Sequence, residues 1–334
     1  MRDETGAGRA EKLAAGLVAG DRRVLARAIT LVESTRSDHR ALARDLLAAL
    51  PARTPPALRV GLTGTPGVGK SSFTESLGLK LTAAGQRLAV LAVDPSSARS
   101  GGSILGDKTR MELLSRDPMA YIRPSPSQAS LGGVGRRTRE TVALVEAWGA
   151  DVVLIETVGV GQSETMVSDM TDVFVLLLAP GGGDELQGVK RGIMEMADLI
   201  LVNKADGDNV AAAQRTRADY AGALRLLRPR PGDPDGYPRA MAVSAVTGHG
   251  LDDAWAAVTT LAAARQASGA FEARRRTQAE AWFEHAVEAG IRARLSGDAA
   301  IAARRAELAR AVAEGRMAPD AAAETMLAAI FPAP

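Results

Sequence analysis

Hydrophobic and polar positions alternate with two different periods along the chain. Before about residue 50 the apolar side chains recur three or four positions apart, which is the spacing of one face of an α-helix. These positions are Leu13, Leu17, Leu25, Ile29, Val32, Leu42, Leu46 and Leu50. Asp21 stands where its side chain would cap the second of the predicted helices. Prolines at 51, 55 and 56 end the pattern, so we assign residues 1–56 to an N-terminal helical extension.

The central part of the chain, residues 57–265, has short apolar runs separated by helical stretches. The predicted strands are Leu58–Thr63, Leu88–Val93, Val152–Glu156, Val173–Leu178, Leu199–Asn203 and Ala240–Ser244. Most of these runs are continuously apolar, as in a parallel sheet that is covered on both faces. The expected fold is therefore α/β, with a mostly parallel sheet flanked by helices. Ligands of such folds bind beyond the carboxyl ends of the strands.

Helical spacing returns in residues 266–334, with Gly297-Asp298 and Met317-Ala318-Pro319 as interruptions. This C-terminal segment is expected either to form a partner or dimer surface or to cover an edge of the sheet. The run Arg274-Arg275-Arg276 is expected to be a solvated helix face. The first ten residues and the stretch 228–238, which is rich in proline and glycine, are expected to be mobile.

Composition narrows the function classes. The chain has 334 residues, of which 46% are hydrophobic, and its formal net charge is +2. Such a balance gives no general attraction to nucleic acid or to a membrane, and 3% aromatic residues are too few for base-stacking platforms. The absence of cysteine excludes disulfides and thiolate metal sites. Because the N-terminus is polar and no apolar run could span a bilayer, we expect a cytoplasmic protein.

The segment Gly64–Ser71 fits the phosphate-binding pattern G-x-x-x-x-G-K-[ST] completely, between a predicted strand and a predicted helix. Its backbone N–H groups and the helix N-terminus would surround phosphate oxygens. Lys70 would reach the β- and γ-phosphates, and the Ser71 hydroxyl would bind Mg²⁺. The expected phosphate-binding residues are Gly64, Pro66, Gly67, Val68, Gly69, Lys70, Ser71 and Ser72.

A second motif, Asn203-Lys204-Ala205-Asp206, follows an apolar strand and predicts recognition of guanine. The Asp206 carboxylate could accept both N1–H and the 2-amino group of guanine, whereas adenine offers neither donor. Asn203 would connect neighbouring loops, and the stem of Lys204 would cover the base. Ser244 and Ala245, after the last strand, suit a backbone N–H contact with guanine O6. The nucleotide is therefore predicted to be GTP or GDP.

Acidic residues at other strand ends are candidates for magnesium binding and hydrolysis. Glu156 could hold a magnesium-bound water, and the N–H of Gly159 could contact the γ-phosphate. Val160 follows this glycine where many GTPases have a glutamine, which predicts weak intrinsic hydrolysis. Asp94 and Asp107 could also lie near magnesium, although on spacing alone Asp94 could equally form a turn and Asp107 a helix cap.

With these residues in view, the chain resembles the MeaB/ArgK family of P-loop GTPases, in which glutamate replaces aspartate in the magnesium motif. The resemblance extends over nearly the whole chain. Beyond the motifs above it rests on Asp94–Ser97, 101–111, 122–126, 156–164 and 183–188.

The resemblance implies a GTP-binding and GTP-hydrolysing chaperone for an adenosylcobalamin-dependent acyl-CoA mutase, typically methylmalonyl-CoA mutase. It implies that Lys70, Asp94, Asp107 and Glu156 form the catalytic site and that Ser71 and the three acids surround Mg²⁺. It also implies a third switch loop with Asp184, Glu185, Gln187 and Lys190, and a homodimer formed by the C-terminal helices.

Two other functions compete with this interpretation. A metallochaperone GTPase would need Cys and His clusters near the nucleotide, and this chain has no cysteine and three scattered histidines. A small-molecule kinase would need a substrate pocket and would normally prefer ATP, which the guanine motif disfavours. An arginine/ornithine transport kinase, a label used for relatives, is indicated by no feature of the sequence.

Overall fold

A computed structural model of the chain describes residues 6–93, 111–124, 131–157, 163–181 and 191–331. The strands in these residues form one sheet in the order β3-β2-β4-β1-β5-β6-β7, and all neighbouring strands are parallel. The strands are β1 (Leu58–Thr63), β2 (Leu88–Val93), β3 (Ala120–Arg123), β4 (Val152–Thr157), β5 (Val173–Leu178), β6 (Leu199–Val202) and β7 (Arg239–Ala242). The predicted α/β class is confirmed.

The helices in the described residues alternate with the strands and extend beyond them at both ends. They are α1 (Gly6–Val18), α2 (Arg22–Glu33), α3 (Ser37–Ala48), α4 (Lys70–Ala83), α5 (Glu112–Arg116), α6 (Leu131–Ala147), α7 (Ser163–Ser168), α8 (Arg191–Met196), α9 (Val210–Leu224), α10 (Leu251–Ala267), α11 (Ala270–Gly297), α12 (Ala299–Ala313) and α13 (Pro319–Ile330). Asp21 caps α2 as predicted, because its carboxylate accepts the N–H groups of Arg23 and Val24 at 2.7 and 3.1 Å.

The six strands expected from the sequence are present, with ends that differ by up to two residues. The strand β3 was missed because it has four residues and its burial alternates, so its pattern is too short to identify. The central strands β2, β4 and β5 are buried along their whole length. Helices α4 and α10 pack against one face of the sheet through residues such as Phe73 and Leu261.

An aspartate directly precedes each of the strands β4, β5 and β6, at the amino edge of the sheet. Each of these carboxylates accepts a backbone N–H from the neighbouring part of the sheet. The pairs are Asp151 with Arg87 at 2.7 Å, Asp172 with Arg59 at 2.8 Å, and Asp198 with Phe174 at 2.7 Å. These bonds satisfy donors that the parallel ladder leaves unpaired where strands begin.

The arginine run on α11 is not a solvated face, which corrects the sequence interpretation. Arg274 donates to the carbonyls of Thr171 and Ser168 at 2.8 and 2.9 Å. Arg275 binds both oxygens of Asp172, at 2.8 and 2.7 Å. Of the three arginines, Arg276 is exposed. The spacing of the charges could not reveal that buried carbonyls and a carboxylate face two of them.

The stretch 228–238, expected to be mobile, is held by side-chain bonds. Arg230 donates to the carboxylate of Asp198 and to the Ala197 carbonyl, the latter at 3.0 Å. The Asp233 carboxylate accepts from Arg265 at 2.6 Å, and the Tyr237 hydroxyl donates to the Ala257 carbonyl at 2.8 Å. Buried arginine and aspartate therefore fix a segment whose composition alone is typical of a loose loop.

The chain divides into two compact units, Met1–Gln278 and Ala279–Pro334. The first contains the sheet, and the second contains α12 and α13. The three-part division at residues 56 and 265 stays a prediction. Within the described part of the chain, none of the helices is long and apolar enough to cross a lipid bilayer.

Candidate functional site

The loop between β1 and α4 approaches its neighbours so closely that glycine is required at two positions. Gly64 has φ 155°, and a Cβ atom there would lie 2.3 Å from the Leu177 carbonyl oxygen. Gly69 has φ 91°, and its Cβ would lie 2.7 Å from the Asn203 amide nitrogen. Helix α4 then begins at Lys70, so its free N–H groups face the loop. This is the strand–loop–helix arrangement that binds phosphate.

Lys70 is held within this loop by backbone oxygen. Its ammonium group donates to the carbonyls of Gly64 and Thr65, at 2.5 and 3.1 Å. Burial lowers the pKa of Lys70, and the carboxylates of Glu156 and Glu164 oppose this shift without cancelling it. A bound phosphate would supply the charge that carbonyl oxygens only partly provide.

Glu156 lies beside the first turns of α4, at the carboxyl end of β4. It is 3% exposed, and its Oε2 accepts the Thr74 hydroxyl at 3.1 Å. Thr74 follows Ser71 by one helical turn, so Glu156 and the Ser71 hydroxyl belong to the same end of the helix. A carboxylate and a hydroxyl beside a phosphate loop match the hard oxygen donors that Mg²⁺ prefers.

The donor set fits a magnesium ion bound together with a nucleotide. Among the described residues, no group of three or more acidic, histidine or cysteine side chains could hold a metal by itself. Magnesium usually keeps several waters and takes one or two protein ligands together with substrate phosphates. The Ser71 hydroxyl and the Glu156 carboxylate, both near the amino end of α4, are sufficient for that mode of binding.

Asn203 connects the phosphate loop to the loop after β7. Its Nδ2 donates to the Val68 carbonyl at 2.9 Å, and its Oδ1 accepts the Ala245 N–H at 3.0 Å. The side chain is 1% exposed, so both bonds are buried. Lys204 follows with φ 57°, a conformation uncommon for a residue other than glycine, and is exposed. The structure thus brings together two motifs that are more than a hundred positions apart.

Asp206 is oriented by the loop after β7. The Ser244 hydroxyl donates to Asp206 Oδ2 and accepts the Thr247 N–H at 3.1 Å. Among the described residues this half-buried carboxylate accepts no other hydrogen bond, so a base could bond to its remaining lone pairs. The N–H of Ala245 already donates to the Asn203 side chain. The contact of this N–H with guanine O6 stays a prediction, and it would require the N–H to be shared between two acceptors.

The remaining expected positions divide into two groups. Pro66, Gly67 and Ser72 are exposed on the loop and the first turn of α4, whereas Val68 is buried under the loop. The other expected residues lie outside the described part of the chain: Asp94, Asp107, Gly159, Asp184, Glu185, Gln187 and Lys190.

Sequence reasoning missed three polar residues that support the site. Thr74 binds Glu156, and the Ser76 hydroxyl donates to the Ala245 carbonyl at 2.6 Å. Glu164, in the first turn of α7, is 5% exposed, and its negative charge opposes the lowering of the Lys70 pKa by burial. A sequence signal existed for the first two, because Thr74 and Ser76 are hydroxyl side chains in the helix that begins at the phosphate loop.

The parallel sheet, the phosphate loop and the guanine-type loops define a P-loop GTPase. A sequence model of the family described as "Methylmalonyl Co-A mutase-associated GTPase MeaB" matches residues 25–300. The chain belongs to the MeaB family, and it is a GTPase.

Individual relatives agree with this family. A putative GTPase of Caulobacter vibrioides is 53% identical over 94% of this chain and 95% of its own length. The mouse protein "Methylmalonic aciduria type A homolog, mitochondrial" is 47% identical over 96% of this chain and 79% of its own length. The solved structure of a LAO/AO transport system kinase covers 99% of both chains with a TM-score of 0.74 and 36% identity.

Proposed function

We propose that this GTPase is a chaperone of an adenosylcobalamin-dependent acyl-CoA mutase, with methylmalonyl-CoA mutase as the client. In this proposal, GTP binding and hydrolysis gate the loading of adenosylcobalamin and protect the mutase from inactivation. The observation that carries the proposal is the match to a mutase-associated family over most of the chain. The name of the mouse relative, which refers to methylmalonic aciduria, supports the same client.

The proposed chemistry assigns a role to each residue of the site. Lys70 would neutralise the β- and γ-phosphates, and Ser71 and Glu156 would hold Mg²⁺ directly or through water. Magnesium would supply charge stabilisation at the phosphates. Asp94 and Asp107 are proposed for the same site, and Gly159 is proposed to sense the γ-phosphate. Hydrolysis is expected to be slow until the partner completes the site.

The chain is further proposed to act as a homodimer through its C-terminal helices. On α11 the side chains of Phe283, Val287 and Ile291 are 64%, 40% and 46% exposed and recur every four residues. Such a spacing gives one apolar stripe along a helix. A stripe of this kind supports burial against a second copy, and light scattering of the purified protein would measure the oligomeric state.

The deciding experiment measures GTP turnover by the purified protein alone and with methylmalonyl-CoA mutase. The expected result is slow turnover that the mutase accelerates, together with a nucleotide-dependent change in adenosylcobalamin transfer to the mutase. Turnover that no adenosylcobalamin-dependent mutase changes would retain the GTPase and remove the proposed client. A metallochaperone would instead show nucleotide-dependent binding of nickel or zinc, and a kinase would transfer phosphate to a small molecule.

A further inference from the structure

Helix α7 packs on β1, the strand that leads to the phosphate loop, and is bonded at its carboxyl end by the C-terminal helix α11. It has six residues, Ser163–Ser168, and therefore a length of about 9 Å. Its first turn contains the buried Glu164. Its carboxyl end leads through Thr171 to Asp172 and strand β5. A helix this short has little capacity to absorb a displacement at one end without moving the other.

The carboxyl end of α7 is bound by side chains of α11. Arg274 donates to the carbonyls of Ser168 and Thr171 at 2.9 and 2.8 Å. The amide of Gln278 donates to the same Thr171 carbonyl at 2.9 Å. Thr171 is fully buried and Gln278 is 7% exposed, so the bond between them is shielded from water, whereas the Arg274 bonds are partly buried. The Ser168 carbonyl belongs to the last turn of α7 and also accepts the N–H and hydroxyl of Thr171, both at 3.3 Å, whereas the Thr171 carbonyl lies beyond the helix end.

The side chain of Arg274 binds backbone carbonyls at and just beyond the end of α7, and not a carboxylate. Among the described residues its hydrogen bonds go to two carbonyl oxygens, whereas its neighbour Arg275 forms a two-bond ion pair with Asp172. Burial lowers the pKa of Arg274, and the charges of Asp198 and Asp172 oppose that shift. The half-buried guanidinium thus holds the backbone at the end of α7 and in the turn that follows it.

The last turn of α7 and the residues after it are packed tightly on the strand that leads to the phosphate loop. A Cβ atom at Gly61 of β1 would lie 3.0 Å from Val167 and 3.0 Å from the Thr171 hydroxyl. Gly61 precedes Gly64, the first residue of the phosphate loop, by three positions. The last turn of α7 therefore rests on the backbone of β1, and a shift of this turn would change how the short helix, including Glu164, packs on the strand that leads to the phosphate loop.

We propose that Arg274 and Gln278 are positioning residues for GTP hydrolysis, which act through α7 by fixing its carboxyl end. They hold the helix in its packing against β1, whose carboxyl end continues into the phosphate loop. A ligand or partner that displaced α11 would then change the rate of hydrolysis without touching the nucleotide. The proposal rests on GTP hydrolysis and not on the identity of the client.

The test compares Arg274→Ala with Arg276→Ala, which removes the same charge from an exposed position two residues further along α11. Single-turnover GTP hydrolysis and the affinities for GDP and a non-hydrolysable GTP analogue are measured for both variants. Since small misplacements of catalytic geometry cost up to about 100-fold in rate, we expect Arg274→Ala to hydrolyse GTP about 10-fold more slowly. Both affinities should stay within about twofold of those of Arg276→Ala, because the change is expected in the chemical step.

A hydrolysis rate within about threefold of Arg276→Ala would overturn the proposal, and so would a parallel loss of affinity and rate. If Arg274→Ala lost its cooperative thermal unfolding, Gln278→Leu would decide by the same criteria, since it removes one bond to Thr171 and keeps the side-chain volume. Arg274→Lys should recover part of the rate. Hydrolysis by the wild type and by Arg276→Ala shows independently that the GTPase is intact.

Discussion

The two edges of the sheet use carboxylates in opposite ways. At the amino edge, Asp172 and Asp198 are each 1% exposed, and their oxygens accept bonds from backbone N–H groups and from arginines. At the carboxyl edge, the half-buried Asp206 side chain accepts the Ser244 hydroxyl and no other hydrogen bond among the described residues. A carboxylate offers about four acceptor positions. Saturating them within the protein gives stability, and leaving some of them open gives recognition.

Arginine side chains make this difference possible. Arg265 is 5% exposed and forms bonds of 2.6 Å to both Asp198 and Asp233. Burial lowers its pKa, but Asp233 and Asp198 outweigh that effect, so the pKa lies above its usual value. Charges here are neutralised before any ligand binds. The amino edge of the sheet is therefore rigid, and a bound phosphate would change the structure at the carboxyl edge instead.

The largest expected effect is the loss of stability in Asp198→Asn. The substitution keeps an acceptor for the Phe174 N–H but removes the charge that faces Arg265, whose guanidinium is buried. Breaking a buried pair typically costs about 3–5 kcal/mol. Urea unfolding of the nucleotide-free protein should show a loss of about 3 kcal/mol. A loss below about 1 kcal/mol would mean that Asp233 alone neutralises Arg265 and that the amino edge is not saturated in the sense argued here.

The matched substitution at the other edge, Asp206→Asn, should affect binding more than stability. The new amide keeps one oxygen for the Ser244 hydroxyl but replaces the acceptor that guanine requires by a donor. Losing two charge-assisted bonds predicts about 100-fold weaker GTP binding, or about 2.7 kcal/mol. Xanthine nucleotides, which have a carbonyl in place of the 2-amino group, should bind relatively better. Titration with fluorescent guanine and xanthine nucleotides measures both, and unchanged GTP selectivity would assign base recognition to other residues.

The sequence predicted the open edge better than the saturated one. The phosphate loop and the Asn203–Asp206 motif are each one continuous stretch of sequence. Ligand chemistry constrains the residue spacing within each motif, so each can be identified without knowing the fold. The continuous apolar runs of β2 and β5 predicted a covered parallel sheet for a similar reason. Their pattern is local, and burial on both faces is its direct cause.

Contacts between distant positions could not be predicted in this way. Arg274 and Ser168 are 106 positions apart, and nothing in the arginine run distinguishes the two bonded side chains from the exposed Arg276. The aspartates before β4, β5 and β6 did carry a signal, since each directly precedes an apolar run. Which N–H each of them accepts depends on the strand order, and that order is a property of the whole sheet.

The smallest expected effect is that of Asp151→Asn, the third substitution in the series. Asp151 accepts the Arg87 N–H at 2.7 Å and the Arg53 guanidinium at 2.5 Å, as its two counterparts accept an N–H and an arginine. Its side chain is 41% exposed, so water replaces much of what the substitution removes. We expect a loss of about 1 kcal/mol in urea unfolding, with GTP affinity unchanged.

A loss equal to that of Asp198→Asn would mean that the backbone bond, and not the buried ion pair, holds the amino edge together. A loss of about one third of that of Asp198→Asn would mean that the two substitutions differ because the charge of Asp198 is buried and that of Asp151 is not.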